Sequence, residues 1–349
     1  MRDDSTMEEA LEFLAPYGPD LNNGMTNHAP MAAEALCALG RPGAVMPWIE
    51  QYRKWLAPRP ESRQRIARES WQSALGQLER FADWSAFFEA ELQEAPWREV
   101  AARWTAALAP AVCASATHGV IRLGHAARSL SARESPARIR EIAEALGYWA
   151  ACYQTLPTGP PGMAGAAHPR EAIGRVPVVP PAQRRFAGTI VSSLEALDDF
   201  PEFAPVIGMI ATTATPAEVL SELTETFARV YLANAHDTLT TIVFIHGVTS
   251  VAAVRSILPL LGDAAARQTI RYAWQAAAAL YAAFGQAPAP AAEIEAPCES
   301  RETLIDMAIA NGDEHAIKFA EACLREYALT PAPAYLAAAR HAVGMLGAH

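Results

Sequence analysis

The residues able to do chemistry in this chain are histidines, and one lysine, set into otherwise apolar runs. In THGVIRLGHA, His118 and His125 are seven apart, which returns almost to one helical face, and Arg122 lies between them on that face. Two turns advance about 10.5 Å, a long reach for one shared ion. One ring is therefore expected to bind and the other to support it or meet substrate. In NGDEHAIKFAEACLREY, His315 and Lys318 are i and i+3 and share a face. His246 closes the apolar run TLTTIVFIHG just before Gly247, and reads as facing inward across a helix break, with Ser250 capping the next helix. His28 stands just ahead of Pro30, at a helix entrance from which a ring projects into a cleft. His236, beside Asp237, reads as a residue near a helix start or in solvent.

Burying several imidazoles requires a partner for each ring nitrogen, and a shared metal is an economical one. Only Lys54 and Lys318 are lysines. On a helix of Ala, Ile, Phe, Cys and Leu, Lys318 has two readings. Its stem is buried while the ammonium reaches water, Glu314 or Glu321, or the whole group is desolvated and the neutral amine becomes reactive. A neutral amine captures carbon dioxide as a carbamate, which turns a cation into an oxygen ligand for a metal. Arg122 likewise has two readings, a salt bridge or a cation that neutralises a phenolate or quinone oxygen.

The elements that must position these groups are helical. Apolar residues recur at three-to-four spacing from end to end, and period-two alternation is almost absent, so the chain reads as an all-α single domain spanning 1–349. Helical patterns cover Met7–Leu14, Met31–Leu39, Val45–Leu56, Ser62–Leu92, Glu99–Leu130, Ala137–Tyr153, Arg185–Leu197, Ala217–Ile245, Val251–Leu261, Ala265–Phe284, Arg301–Asn311, Glu314–Tyr327 and Ala332–Leu346. Gly119 and Gly124 inside one of them cost about 1 kcal/mol each relative to Ala, which fits close approach by a neighbouring helix or a bulky ligand. A Pro- and Gly-rich stretch near residues 157–183 lacks periodicity and reads as a connector or a lid over a site.

Composition removes other classes. With 28 basic against 38 acidic residues the net charge is −10, and the arginines are scattered, which argues against nucleic acid as a partner. The five cysteines are widely spaced without a CxxC pair and read as buried thiols in a reducing compartment. The acidic start MRDDSTMEEALEFL does not resemble a secretory signal, and no uninterrupted apolar run of membrane-spanning length occurs, so a cytoplasmic protein without a membrane partner is expected. There is no GxGxxG, GxxxxGK[ST], GxSxG, HExxH or EF-hand pattern.

Four segments together, NHAPMAAEAL with the nearby WIEQYRKWL, then THGVIRLGHA, VFIHGVTS and DEHAIKFAEACLREY, resemble the questin oxidase-like family in order and spacing over nearly the whole chain. The resemblance implies an all-helical domain and an oxygenase that cleaves an anthraquinone ring in a Baeyer-Villiger-like conversion of a polyketide. It also implies non-haem Fe(II) held by histidines and a carboxylated lysine. By resemblance His28, His118, His246 and Lys318 take the ligand roles. The fourth histidine is His315, from its pairing with Lys318, or its rival His125. Arg122 and His125 are the candidate catalytic residues. Imidazoles with an anionic oxygen suit Fe(II) and leave positions for dioxygen and an aromatic substrate. Fungal members use a reduced nicotinamide; with no motif for one here, NADPH is expected to act as an external reductant, if it is needed. The acidic surface fits a monomer or homodimer. Two other functions compete: a metal-free helical binding protein for a hydrophobic ligand, whose histidines point to different places, and a zinc-type hydrolase or lyase using the same His/Lys cluster.

Overall fold

The computed structural model describes residues 5–159, 165, 167–286 and 294–347. Its helices are α1 (Ser5–Leu14), α2 (Ala29–Ala38), α3 (Val45–Tyr52), α4 (Phe81–Glu94), α5 (Trp97–Leu108), α6 (His118–Ala132), α7 (Pro136–Ala151), α8 (Pro169–Ala172), α9 (Ile190–Leu194), α10 (Pro216–Asn234), α11 (Thr238–Ile257), α12 (Asp263–Phe284), α13 (Arg301–Asn311), α14 (Glu314–Leu329) and α15 (Pro333–Met345). The only paired strands among the described residues are a short antiparallel ribbon, β1 (Tyr17–Leu21) with β2 (Leu56–Pro58). The protein is thus predominantly all-α, as its periodicity requires.

Two helices form the centre. α6 packs on α7, α11 and α2, while α11 packs on α6, α10, α12 and α14. The glycines of α6 make this possible. A Cβ at Gly119 would lie 2.7 Å from the Trp149 ring on α7, and one at Gly124 would lie 2.8 Å from the Ala253 backbone on α11. Close approach by neighbouring helices accounts for both. Gly124→Ala gains about 1 kcal/mol of helix propensity but must push α6 off the α11 backbone, and overpacking of this kind costs about 1–3 kcal/mol. Because backbone cannot rotate away as a side chain can, the second effect wins, and the denaturant midpoint of Gly124→Ala is expected to fall.

Helix starts follow local chemistry. Thr215 and Glu218 form a capping box at α10, and Asp237 with Thr240 does so at α11. That second box relocates a break. The expected interruption at Gly247, with Ser250 as a cap, does not exist; α11 runs unbroken through both, and the chain turns instead at 235–237. A Cβ at Gly247 would meet nothing nearer than Phe227 at 3.7 Å, so this glycine marks neither a break nor a close contact. His236 lies exposed just before α11, as expected.

Three other helical expectations are shortened. The Ser62–Leu92 pattern is irregular up to Trp71, because the Asp83 carboxylate accepts the Ser62 hydroxyl and the Arg63 and Gln64 amides at 2.7–3.0 Å, giving those groups a partner that a helix would otherwise supply. Glu99–Leu130 is broken after Leu108, where Pro110 sits in a short 3-10 turn. Of Arg185–Leu197 only Ile190–Leu194 is α-helical. In the Pro/Gly-rich stretch, residues 160–164 and 166 lie outside the described residues; the remainder includes α8, and the Val179 amide donates to Ala282 O on α12 at 2.8 Å. None of the cysteines is in a disulfide, but only Cys113 and Cys323 are buried, while Cys298 is exposed at the surface. One helix among the described residues is long and apolar enough to cross a membrane, α11 with its following turn (Thr238–Leu260), and 78% of its apolar window is buried inside the fold. It is the helix that carries His246 to the centre.

Candidate metal centre

Four elements deliver the cluster. His28 precedes α2 and is held there by its neighbour: Asn27 Nδ2 donates to Gly18 O at 2.8 Å and Asn27 Oδ1 accepts the Ala29 amide at 3.0 Å. His118 opens α6, His246 lies mid-way along α11, and His315 and Lys318 lie on the first turns of α14, which Asp313 caps. The rings of His28 and His118, of His28 and His315, and of His118 and His246 have centroids 4.6 Å apart, and those of His246 and His315 5.5 Å. Lys318 Nζ is 3.0 Å from His28 Nδ1. All five residues are buried. The structure therefore brings together five of the seven residues singled out in the sequence.

Hydrogen bonding fixes which ring nitrogens point inward. His118 Nδ1 faces the Ser115 carbonyl, and His246 Nδ1 faces the Ile242 carbonyl at 2.8 Å. A carbonyl only accepts, so both rings carry their proton on Nδ1 and present a bare lone pair at Nε2. Those two Nε2 atoms face one another at 3.0 Å. Two lone pairs at that distance repel unless something positive lies between or beside them. A proton is disfavoured, because burial, and then Lys318 or the neighbouring imidazoles, hold His28, His118 and His246 well below the usual histidine range. A divalent metal satisfies the same lone pairs without protonating any ring. His315 repeats the arrangement: its Nδ1 is 3.2 Å from the Asp313 carboxylate, which orients the ring with Nε2 away from that bond. His28, His118 and His315 offer ligand atoms all within 4.8 Å of one another. The donor set fits a metal.

Lys318 has the opposite balance to a surface lysine. Burial lowers its amine to about 8, against the pull of Glu314 and Asp313, so about a tenth of it is neutral at pH 7, far more than for a lysine at its ordinary value. Both acids stand at the start of the same helix, and Glu314 Oε1 lies 3.8 Å from His28 Nδ1 and from His315 Nδ1.

The four imidazoles line one wall of a cavity of about 360 Å³. Leu21, Ile190, Val191 and Ile242 supply apolar walls, and the exposed Met25 and Trp55 stand among its lining. Thr26 and Ser115 add hydroxyls to the lining, and buried Tyr148 links them from behind: Ser115 Oγ lies 2.6 Å from Tyr148 Oη, which lies 2.9 Å from Thr26 Oγ1. Ser115 belongs to a rare backbone segment. Ser115, Ala116 and Thr117 have φ of 49°, 52° and 73°, three consecutive left-handed residues with no glycine, each costing about 1–2 kcal/mol. The turn aims the Ser115 carbonyl at His118 Nδ1 and its hydroxyl at Tyr148, so strain is held where it sets the geometry of the site. The described part of the Pro/Gly-rich stretch does not line this cavity; residues 189–191 do.

Arg122 and His125 sit elsewhere. Arg122 donates to both oxygens of buried Glu141, at 2.7 and 2.9 Å, and His125 Nδ1 lies 2.6 Å from Glu34, which also pairs with Arg128. Neither lines the histidine cavity. Arg122 occupies its salt-bridge reading, and the structure places neither residue with the cluster: Arg122 Nε and Nη2 bond Glu141, and His125 Nδ1 bonds Glu34. Sequence reasoning missed Asp313, although its position two residues before His315 at a helix start was legible. It also missed the Ser115–Tyr148–Thr26 set, which no local pattern marks.

A search of curated proteins finds no match to this chain. The family model for questin oxidase-like proteins matches residues 25–323, a span that includes all five cluster residues, and this family implies an oxidoreductase. The chain belongs to the questin oxidase-like family.

Proposed function

We propose that this protein is a non-haem iron oxygenase that uses dioxygen to cleave a ring of an anthraquinone-type or other polycyclic aromatic polyketide. One observation carries the metal: two buried, neutral imidazoles face lone pair to lone pair at 3.0 Å, with His28, His315 and Lys318 around them. Family membership supports oxidative chemistry rather than hydrolysis. Iron bound there would supply the one-electron exchange with dioxygen that side chains cannot.

The chain's own residues have separate tasks. His118, His246 and His315 present Nε2, held in that tautomer by Ser115 O, Ile242 O and Asp313. Lys318, as its neutral amine, attacks carbon dioxide through Nζ and loses a proton to solvent, leaving a carbamate whose single negative charge complements the cation. The apolar walls exclude water and hold fused rings. The hydroxyl of Thr26 or Ser115, both on the cavity wall and ordered from behind by Tyr148, donates to a substrate phenol or quinone oxygen as it gains charge, in place of the role first given to Arg122. NADPH, where required, is a diffusing reductant, since the sequence has no dinucleotide fingerprint.

The test is metal content of protein purified without chelator under low oxygen. About one equivalent of iron, followed by dioxygen uptake when anthraquinones are added, is the expected result. Zinc in its place would favour hydrolase chemistry, and no metal would leave a binding protein. Asp313→Asn keeps a good helix cap but removes the charge behind His315, so iron affinity is expected to fall about 10–100-fold with little change in thermal stability, read by metal titration and melting of one preparation.

A further inference from the structure

The cavity that holds the histidines is not the largest. A second, of about 680 Å³, lies farther along the same three helices, where α2, α6 and α14 contribute Glu34, Ser129 and Arg325. Ser129 is eleven residues beyond His118, about 16 Å along α6, so the two cavities are distinct spaces.

We propose that this second cavity is a binding site for an amphipathic monoanion, an organic carboxylate or sulfonate with an apolar body. Charge argues for the anion. Arg128, Arg138, Arg301 and Arg325 line the cavity against the carboxylates Glu34 and Glu321. Arg128 is committed to Glu34 and Glu321, and Arg138 to Glu8. The lining carries four guanidiniums against two carboxylates, a net positive wall that an anion complements. Arg301, exposed at the mouth, supplies the guanidinium that an arriving anion meets first, while Arg325 is fixed on the wall by donating Nη1 to Ser256 Oγ at 2.9 Å and Nη2 to Ala252 O at 3.0 Å. The rest of the wall specifies the body of the ligand: Met7, Ala38, Leu39 and Leu329 are apolar, and Leu329 is 56% exposed, a poor residue to leave in water without a partner. The volume matches small-molecule sites of about 300–1,000 Å³.

The probe is 8-anilinonaphthalene-1-sulfonate, an apolar monoanion whose emission rises out of water, titrated into the full-length protein as purified. Saturable binding is expected, displaced by decanoate but not by decanol at equal concentration. Arg301→Glu, on an exposed side chain, is expected to weaken binding about tenfold, the loss of one charge-assisted contact. Ala132→Trp fills the cavity and is expected to abolish it. Val191→Trp, on the wall of the histidine cavity, leaves it unchanged. The proposal is overturned if decanol competes as well as decanoate, if Arg301→Glu binds as the parent does, or if Val191→Trp is the change that removes binding. Should Ala132→Trp fail to fold by circular dichroism, the Arg301→Glu and decanol arms still decide.

Discussion

Replacing Lys318 by alanine is expected to remove bound iron and dioxygen-consuming activity together, while Lys54→Ala leaves both intact. The two lysines differ in every respect that matters. Lys54 is exposed, with its ammonium 5.1 Å from the Trp55 ring, and Lys318 is buried with Nζ 3.0 Å from His28 Nδ1. Losing an outer-shell partner costs about 10–100-fold in metal affinity, and losing an anionic ligand is expected to exceed that. A second readout separates ligand from structural roles. Burial holds the Lys318 amine at about 8, below its unfolded value of 10.5. The unfolded chain therefore binds the extra proton between those values, so this group penalises the folded state fully below about pH 8, and the penalty fades as pH rises from 8 toward 10.5. Lys318→Met, which keeps the volume and drops the charge, is expected to melt higher than the parent at pH 7 when both are metal-free, and to bind no iron. A merely structural lysine would give the reverse. In the parent, iron affinity is expected to climb with pH up to about 8 and then level off, and added bicarbonate should raise it. A flat profile, or iron retained by Lys318→Met, would sink the ligand assignment.

The helical character was legible in the sequence because it rests on local spacing, whereas the members of the cluster were brought together only by the resemblance of four separated segments to a family. His315 and Lys318 share a face by arithmetic, and His28 ahead of Pro30 marks a helix entrance that the structure keeps. What could not be read depends on contacts far apart in the chain. Gly247 before Ser250 looked like a break, but local signals compete, and the Asp237 capping box began α11 earlier and carried it through. The seven-residue spacing of His118 and His125 placed both on one face, but which end of that face joins the other histidines is decided by what packs there. At one end stand His28 and His246; at the other, Glu34 and Arg128 claim His125. Arg122 was captured in the same way by Glu141, nineteen residues away on α7. The left-handed turn at Ser115–Thr117 contains no glycine to announce it.

That difference between the two ends of α6 gives a second large effect, which decides the fourth histidine. His315→Ala and His246→Ala are expected to lose iron with modest change in melting, since each removes a ring whose Nε2 points into the cluster and whose removal relieves crowding among lone pairs. His125→Ala is expected to do the opposite. Its ring is bonded to Glu34, whose carboxyl is held near 2 against burial, by Arg128 first and then by the His125 hydrogen bond. Without the ring, Glu34 keeps Arg128 but loses a buried charge-assisted bond, so the cost is about 1.5–3 kcal/mol of stability, with iron retained. Because the folded Glu34 value lies below its unfolded one, the stability it contributes is present above the unfolded value of 4.5 and is lost as pH falls toward 2; the parent should therefore lose more on acidification than His125→Ala does. Metal analysis and denaturant midpoints on the three variants separate the roles cleanly. Iron lost from His125→Ala and kept by His315→Ala would reverse the assignment, move the metal toward the Glu34 end of α6, and leave the facing lone pairs of His118 and His246 in need of another explanation.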